Sequence, residues 1–473
     1  MNILRYILLT IIFFLLIILY FFNTNMGHED LKNFIENSLA KKTDNKIEVI
    51  SLNLDHYPNL TIKLKINNEL KVTLRGELDN EDISMNYHLT GEHFTLNRVS
   101  LNDKIDIYGT LVGSFDDLKV TGAGEAFDGK VEYSFTNLPN IIKNMDLKMR
   151  EVNSSKLLQF LEQKEFVQGG VDVNAHFSKF SKYEKQGVTT LYMAKALVPL
   201  FQQKLPFELN AKIIFSTIKD KFNATLTSKL GEITIKNGVY DISKKIFNSL
   251  YHIHISDLAH FKKLLHHQYK GSLNTTGDIH YESDNEELKI KGVTSKLGGE
   301  LTYIYYNRDI DLKFKNLSLK KLLDQLNTPL LFQSKINGTV NYSAKEDLVV
   351  INTQLKNTRF VPSKLTQTIQ NRLKTNLLKG SYEQSYFSGG FKGDTLSAIL
   401  TLDNGINYIK LSKIKLNLRN NRLNANFKIK MNGTEIEGKI YGTLENPQIK
   451  IETKFFTLPN KQLDSWIKRN YLN

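Results

Sequence analysis

The chain has 473 residues, 24% charged and 41% hydrophobic, a balance that excludes a disordered or polytopic protein. It contains no cysteine, so disulfides, thiol catalysis and Cys-ligated metals are excluded as well. A formal charge of +14 suits an anionic partner, but no long block of like charges occurs. The excess therefore reads as lysines dispersed over solvated strand faces, which argues against nucleic acid.

Ile3 to Phe22 is apolar except for Arg5, Tyr6, Thr10 and Tyr20. At about 1.5 Å per residue it spans about 30 Å, the thickness of a bilayer core. Asn23-Thr24-Asn25-Met26-Gly27-His28 follows and makes a poor signal-peptide cleavage site. Residues 1–25 thus read as an uncleaved single-pass transmembrane anchor. Its lipid-facing residues are Ile7, Leu8, Leu9, Ile11, Ile12, Phe13, Phe14, Leu15, Leu16, Ile17, Ile18 and Leu19. Residues 26–45 carry Leu31, Phe34, Ile35 and Leu39 at helical spacing behind Glu29 and Asp30, which predicts an amphipathic linker helix.

Residues 46–459 read as strand after strand. Leu60 to Ile66, Lys71 to Arg75, Lys410 to Leu418 and Phe427 to Met431 alternate between apolar and polar residues, so one face of the sheet is apolar and the other faces water. Asn67-Asn68, Asp79-Asn80, Asp116-Asp117, Asn404-Gly405, Asn420-Asn421 and Asn432-Gly433 supply hairpin turns, which makes the sheet largely antiparallel. No Gly/Ser-rich linker divides the stretch, which predicts one continuous elongated β body.

Two related units lie near 118–161 and 288–326. Leu118-Lys119-Val120-Thr121-Gly122 is echoed by Leu288-Lys289-Ile290-Lys291-Gly292, and Gly129-Lys130-Val131-Glu132-Tyr133 by Gly299-Glu300-Leu301-Thr302-Tyr303. Each unit closes on a serine and a Leu-Leu helix, with a serine as the expected N-cap. The strand-to-helix piece returns at 253–265 and 355–378. Such repetition points to units that stack to bury a continuous apolar face. Residues 460–473 form a short amphipathic segment with Trp466 near Lys468 and Arg469.

No catalytic or nucleotide motif is present, so the chain is not expected to be an enzyme or to need a cofactor. His252 and His254 share a strand face without a third metal ligand in register. His266-His267 ends a helix, and Glu286-Glu287 and Asp116-Asp117 fall in turns.

The anchor, the linker helix and the segments Ile107-Tyr108-Gly109-Thr110-Leu111 and Ile440-Tyr441-Gly442-Thr443-Leu444-Glu445-Asn446-Pro447 resemble the AsmA-like family of Gram-negative envelope proteins, which includes TamB. The resemblance implies a mainly β fold: an elongated, bent, largely antiparallel sheet forming a repeating groove, with short flanking helices and one N-terminal transmembrane helix. It further implies an inner-membrane protein with its bulk in the periplasm, handling phospholipid or lipopolysaccharide along the groove and contributing to outer-membrane lipid homeostasis. On this reading Leu118, Val120, Val131, Tyr133, Leu288, Ile290, Leu301 and Tyr303 line the groove. The alternative is a non-enzymatic scaffold that meets an outer-membrane or envelope protein through a sheet edge.

Overall fold

The computed structural model describes residues 45–452 apart from 57, 68, 80–81, 97–98, 102, 115, 200–205, 266, 329, 364–365, 368–369, 372–375, 432–433 and 444–445, together with 32–33, 36–37 and 40. The expected anchor with its named residues, the apolar positions of the linker helix, His266 and the segment 460–473 lie outside the described residues. Among the described residues no helix is long and apolar enough to cross a membrane. They are mainly β, as expected, and form two compact units: residues up to His267 with Asp278–Glu286, and Gln268–Gly277 with the residues from Glu287 onward.

The first unit holds β1 (Ile47–His56), β2 (Asn59–Ile66), β3 (Leu70–Asp79), β4 (Asp82–Gly91), β5 (Phe94–Leu96), β6 (Val99–Leu101), β7 (Ile105–Ser114) and β8 (Leu118–Ala126). It continues through β9 (Gly129–Leu138), β10 (Ile141–Asn153), β11 (Gly170–Phe180), β12 (Lys185–Ala196), β13 (Phe207–Phe215), β14 (Lys219–Ser228), β15 (Gly231–Asp241) and β16 (Ile246–Ile255). Each strand pairs antiparallel with the next, except that β4 pairs with β7 while β5 and β6 form a hairpin of their own. β17 (Leu273–Glu282) is divided between the units.

The second unit adds β18 (Glu287–Thr294), β19 (Glu300–Tyr306), β20 (Asp309–Ser318), β21 (Phe332–Ser343), β22 (Leu348–Phe360) and β23 (Ser385–Lys392). Then come β24 (Thr395–Asp403), β25 (Tyr408–Asn417), β26 (Arg422–Met431), β27 (Thr434–Thr443) and β28 (Pro447–Glu452). From β18 to β28 every neighbour in sequence is an antiparallel partner.

Short turns impose this meander. Phe127 and Asp128, between β8 and β9, both hold positive φ (54° and 59°), the pairing a two-residue hairpin with the native twist requires. Because every step is an antiparallel pairing, cross-strand partners keep their side, and one face stays apolar through each unit. On β2, Leu60, Ile62, Leu64 and Ile66 are buried and the lysines between them are not.

The repeat proves deeper than its sequence signature. In four places a strand hairpin is tied off by one backbone hydrogen bond, from the residue entering the helical segment to the residue just before the hairpin. The bonds are Asn153 N to Phe127 O (2.7 Å), Ser256 N to Leu230 O (2.8 Å), Ser318 N to Leu297 O (3.0 Å) and Val361 N to Leu331 O (3.1 Å). Phe127, Leu230 and Leu297 are all buried. In the two best-matched copies a bulge precedes the helix, with Glu151 and Asn316 at positive φ (53° and 51°). The bulge backbone presses against Gly129 and Gly299, where any side chain would collide with it. Val152 and Leu317, just after the bulges, are turned into the core at 0% exposure.

The helices α1 (Ser154–Phe160) and α3 (Leu319–Gln325) follow, with the shorter α2 (Lys262–Leu265) after a 3-10 turn, Leu258–Phe261. Ser318 is the N-cap of α3, as the sequence suggests. In α1 the cap is Asn153, whose side chain accepts from Ser155 N and Lys156 N. Ser154 is instead buried and donates to Val167 O, because the chain enters the helix one residue earlier than the serine rule supposes. Leu157, Leu158 and Phe160 of α1, and Leu319 and Leu322 of α3, pack against the core of their own units. Leu317→Ala is expected to cost about 3 kcal/mol in urea unfolding, since a fully enclosed side chain leaves a cavity.

Candidate apolar binding face

Register assigns each side chain to a face. In the first unit the apolar face runs from β2 to β4 and on through β7 to β16, and its exposure changes along the way. Ile62 on β2, Leu74 on β3, Leu111 on β7 and Leu118 on β8 are all at 0%. A single sheet reaches this only where its apolar face is curved onto itself or covered. From β12 onward many side chains of the same face are only half-buried, although Met193, Phe207 and Tyr251 on it stay buried. Leu191 pairs with Ala211, Ile213 with Phe222, Leu209 with Leu226, Leu226 with Ile233, and Ile233 with Ile253. These side chains are partly open to solvent, and polar residues such as Lys212 and Asn223 occupy the other face.

The second unit shows the same division. Leu400, Leu402, Ile409, Phe427, Ile429 and Ile440 of β24 to β27 are buried. On β18 to β22, Leu288, Ile290, Leu301, Tyr303, Leu312, Val340 and Ile351 are half-exposed. Tyr303 pairs with Leu312, Leu312 with Val340, and Val340 with Ile351, so they form one cross-strand row.

The eight groove residues named from sequence therefore fall into two settings. Leu118, Val120 and Val131 belong to the sealed part of the first unit, at 0%, 2% and 5% exposure, and Tyr133 is half-buried beside them. Leu288, Ile290, Leu301 and Tyr303 lie on the open part of the second. Within each copy all four share a face. The half-exposed residues of β12 to β16 escaped sequence reasoning because alternation assigns a face and not its degree of cover.

Two hydroxyl pairs interrupt the apolar faces at matching places. Gly122 pairs with Tyr133 across β8 and β9, and Gly292 with Tyr303 across β18 and β19. Tyr133 Oη lies 2.6 Å from Tyr87 Oη, and Tyr87 donates to Thr121 O at 2.9 Å. Tyr303 Oη lies 2.9 Å from Thr275 Oγ1, which donates to Val293 O at 3.0 Å. Burial pushes the Tyr87 hydroxyl up strongly, helped by Tyr133, and burial raises Tyr133 although its bond to Tyr87 opposes the shift. Both stay neutral donors.

The charged side chains near the helix serve as a clasp. Lys156 Nζ on α1 reaches Asp103 Oδ1 at 2.7 Å and Asp128 Oδ1 at 2.6 Å, while Asp103 Oδ2 accepts from Phe127 N. The Asp103 side chain is only 1% exposed. Lys156→Met would leave that carboxylate enclosed without its cation, with an expected loss of about 3 kcal/mol. The Lys156 hydrogen bond holds Asp128 below its ordinary value. Burial opposes the Lys156 charge, but the bonds to Asp103 and Asp128 override it and raise the ammonium. A depressed acid contributes above its unfolded pKa and a raised base below its own. The clasp should thus act fully between about pH 4 and pH 10 and weaken beyond either limit, which thermal melts across that range would record.

His252 and His254 sit on the polar face opposite Thr234 and Glu232. Among the described residues no group of three or more His, Asp or Glu could hold a metal ion. Asp117 lies in the β7–β8 turn, where its backbone N–H donates to Ser114 O, and Glu286 holds a positive φ of 54° just before β18. In comparisons with known proteins, no family model, no curated protein and no solved structure matches the chain.

Proposed function

We propose that the chain is a membrane-anchored, non-enzymatic lipid carrier of the envelope, holding phospholipid or lipopolysaccharide acyl chains on the open parts of its two apolar faces. One observation carries the reading: the face that is sealed at β2 to β9 continues with the same apolar chemistry through β12 to β16, where Leu191, Ile213, Phe222 and Ile233 are only half-buried. Water-exposed apolar rows of this extent are costly unless something covers them. Each acyl CH₂ laid there contributes about 0.8 kcal/mol without any specific polar site.

A polar boundary also supports it. Lys185 lies 5.1 Å over the Phe215 ring and pairs with Asp220 at 2.5 Å, at the border of the half-exposed rows. That ion pair marks where the apolar rows end, and a lipid headgroup would meet water beyond chains lying on Ile213 and Phe222. The apolar stretch Ile3 to Phe22 supports tethering to the inner membrane, and the AsmA-like resemblance supports a periplasmic body.

The test is native mass spectrometry of the full chain released from mild detergent. Phospholipid-sized adducts that survive detergent removal are expected. A folded, lipid-free chain that also fails to take up added phospholipid would overturn the reading in favour of a scaffold.

A further inference from the structure

The polar face of β3, β4 and β7 carries a hollow of about 510 Å3 for which the lipid reading has no use. Register sets the side chains around it in two rows. Thr73 stands opposite His88 and His88 opposite Tyr108, while Arg75 stands opposite Asn86 and Asn86 opposite Thr110. Leu74, Tyr87 and Ile107, which alternate with them along the strands, are buried on the apolar face.

Two of the six side chains are already engaged. His88 Nε2 lies 2.8 Å from Asp106 Oδ1, and Thr110 Oγ1 lies 2.8 Å from Thr121 Oγ1. Among the described residues, the side chains of Thr73, Arg75, Asn86 and Tyr108 have no hydrogen bond or ion pair. Tyr108 is 63% exposed in mid-strand, more than any other aromatic side chain described within a strand. The second Ile-Tyr-Gly-Thr-Leu segment turns its tyrosine outward as well: Tyr441 is 42% exposed, between Asn424 and Gln448.

An open aromatic ring beside unspent amide, hydroxyl and guanidinium groups selects its occupant by chemistry. Acyl chains do not suit it, because Arg75 and Asn86 would lose water and gain no partner. A pyranose does: its C–H face covers a tyrosine ring while the hydroxyls at its edge meet Asn86 and Thr73. Arg75 adds a planar fork that fits a carboxylate with two parallel hydrogen bonds. Glu77 lies two residues beyond Arg75 on the same face, and Asp106 two residues before Tyr108. These carboxylates repel a ligand of high negative charge, so one acidic group per ligand is favoured.

We propose that this hollow binds an acidic saccharide, with Tyr108 as the stacking platform and Arg75 as the partner of its carboxylate. The site is independent of the carrier reading, because it lies on the opposite face of the sheet.

The experiment titrates the full chain in detergent, by calorimetry, with a disaccharide carrying one uronic acid and with the methyl ester of the same disaccharide. The acid is expected to bind about fivefold more tightly than the ester, the scale of one exposed ion pair of good geometry. Arg75→Gln is expected to bring the acid to the level of the ester and leave the ester unchanged. Tyr108→Ala should weaken both probes about tenfold, whereas Tyr108→Phe, which keeps the ring, should retain them. Arg75 and Tyr108 are exposed, so melting temperatures should stay level and a lost fold would not be mistaken for a lost site. Lys415→Gln, at an exposed lysine on the polar face of the second unit, controls for general attraction to a chain of charge +14. No binding of either probe, equal binding of acid and ester, undiminished binding by Tyr108→Ala, or a loss in Lys415→Gln as large as in Arg75→Gln would each overturn the inference.

Discussion

Gly122→Val is expected to destabilise the first unit by about 4 kcal/mol. A Cβ at this position would overlap the Tyr87 hydroxyl and the Tyr133 ring, both held over the glycine by their mutual hydrogen bond. Overpacking of this kind costs about 1–3 kcal/mol, and parting the two buried hydroxyls adds about 1–3 kcal/mol more. The surrounding strands cannot yield, because Gly122 lies in mid-strand with Gly109 as its partner on one side and Tyr133 on the other. Urea unfolding followed by circular dichroism reads the loss. Ala123→Val is the control, one residue along and on the opposite, half-exposed face, where a change of about 0.5 kcal/mol or less is expected. Equal losses at the two positions would contradict the assigned faces.

The largest functional effect is expected at the cross-strand pair Ile213 and Phe222. Both are half-exposed and lie directly opposite one another on β13 and β14. Ile213→Lys combined with Phe222→Glu places opposite charges across the strands. With the face empty they remain hydrated and pair, so the fold should persist with little change in melting temperature. With acyl chains on the face they must lose water, at a cost of several kcal/mol per ion. Labelling of first-unit peptides by a photoreactive phospholipid should therefore fall at least about tenfold. Replacing Lys212 and Asn223, the matching pair on the polar face, by alanine should leave labelling unchanged. Undiminished labelling of the charged variant would place the lipid elsewhere.

What the sequence discloses and what it hides have distinct physical origins. Alternation along Leu60 to Ile66 or Phe427 to Met431 assigns faces reliably, because the strand period is two and hairpins preserve it across the sheet. The Val131/Leu301 and Tyr133/Tyr303 matches likewise mark true equivalents, each with its tyrosine opposite a glycine. Cover is another matter. Val120 and Ile290 are interchangeable in the repeat, yet one is sealed and the other half-open, because burial depends on strands distant in sequence.

The bulges at Glu151 and Asn316 were hidden for a related reason: a positive φ at a non-glycine residue has only a weak sequence mark, here an asparagine in one copy and none in the other. Asp103 gave no local sign of its bond to Lys156, since 53 positions separate them. Tyr87 was silent as well, because its partner Tyr133 lies further along the meander, beyond β7 and β8, and only the shared register brings their hydroxyls together.

The most direct test of an open, lipid-bearing face uses the strand's own period. A photo-crosslinking amino acid would be placed in turn at each position from Leu209 to Phe215 in the full chain, produced in cells, and covalently attached lipid measured. Leu209, Ala211, Ile213 and Phe215 share the half-buried face, while Asn210, Lys212 and the equally apolar Ile214 point the other way. Lipid adducts are expected at the first set and none at the second, with Ile213 and Ile214 as the decisive neighbours. Adducts at both, or at neither, would contradict an open, lipid-bearing face.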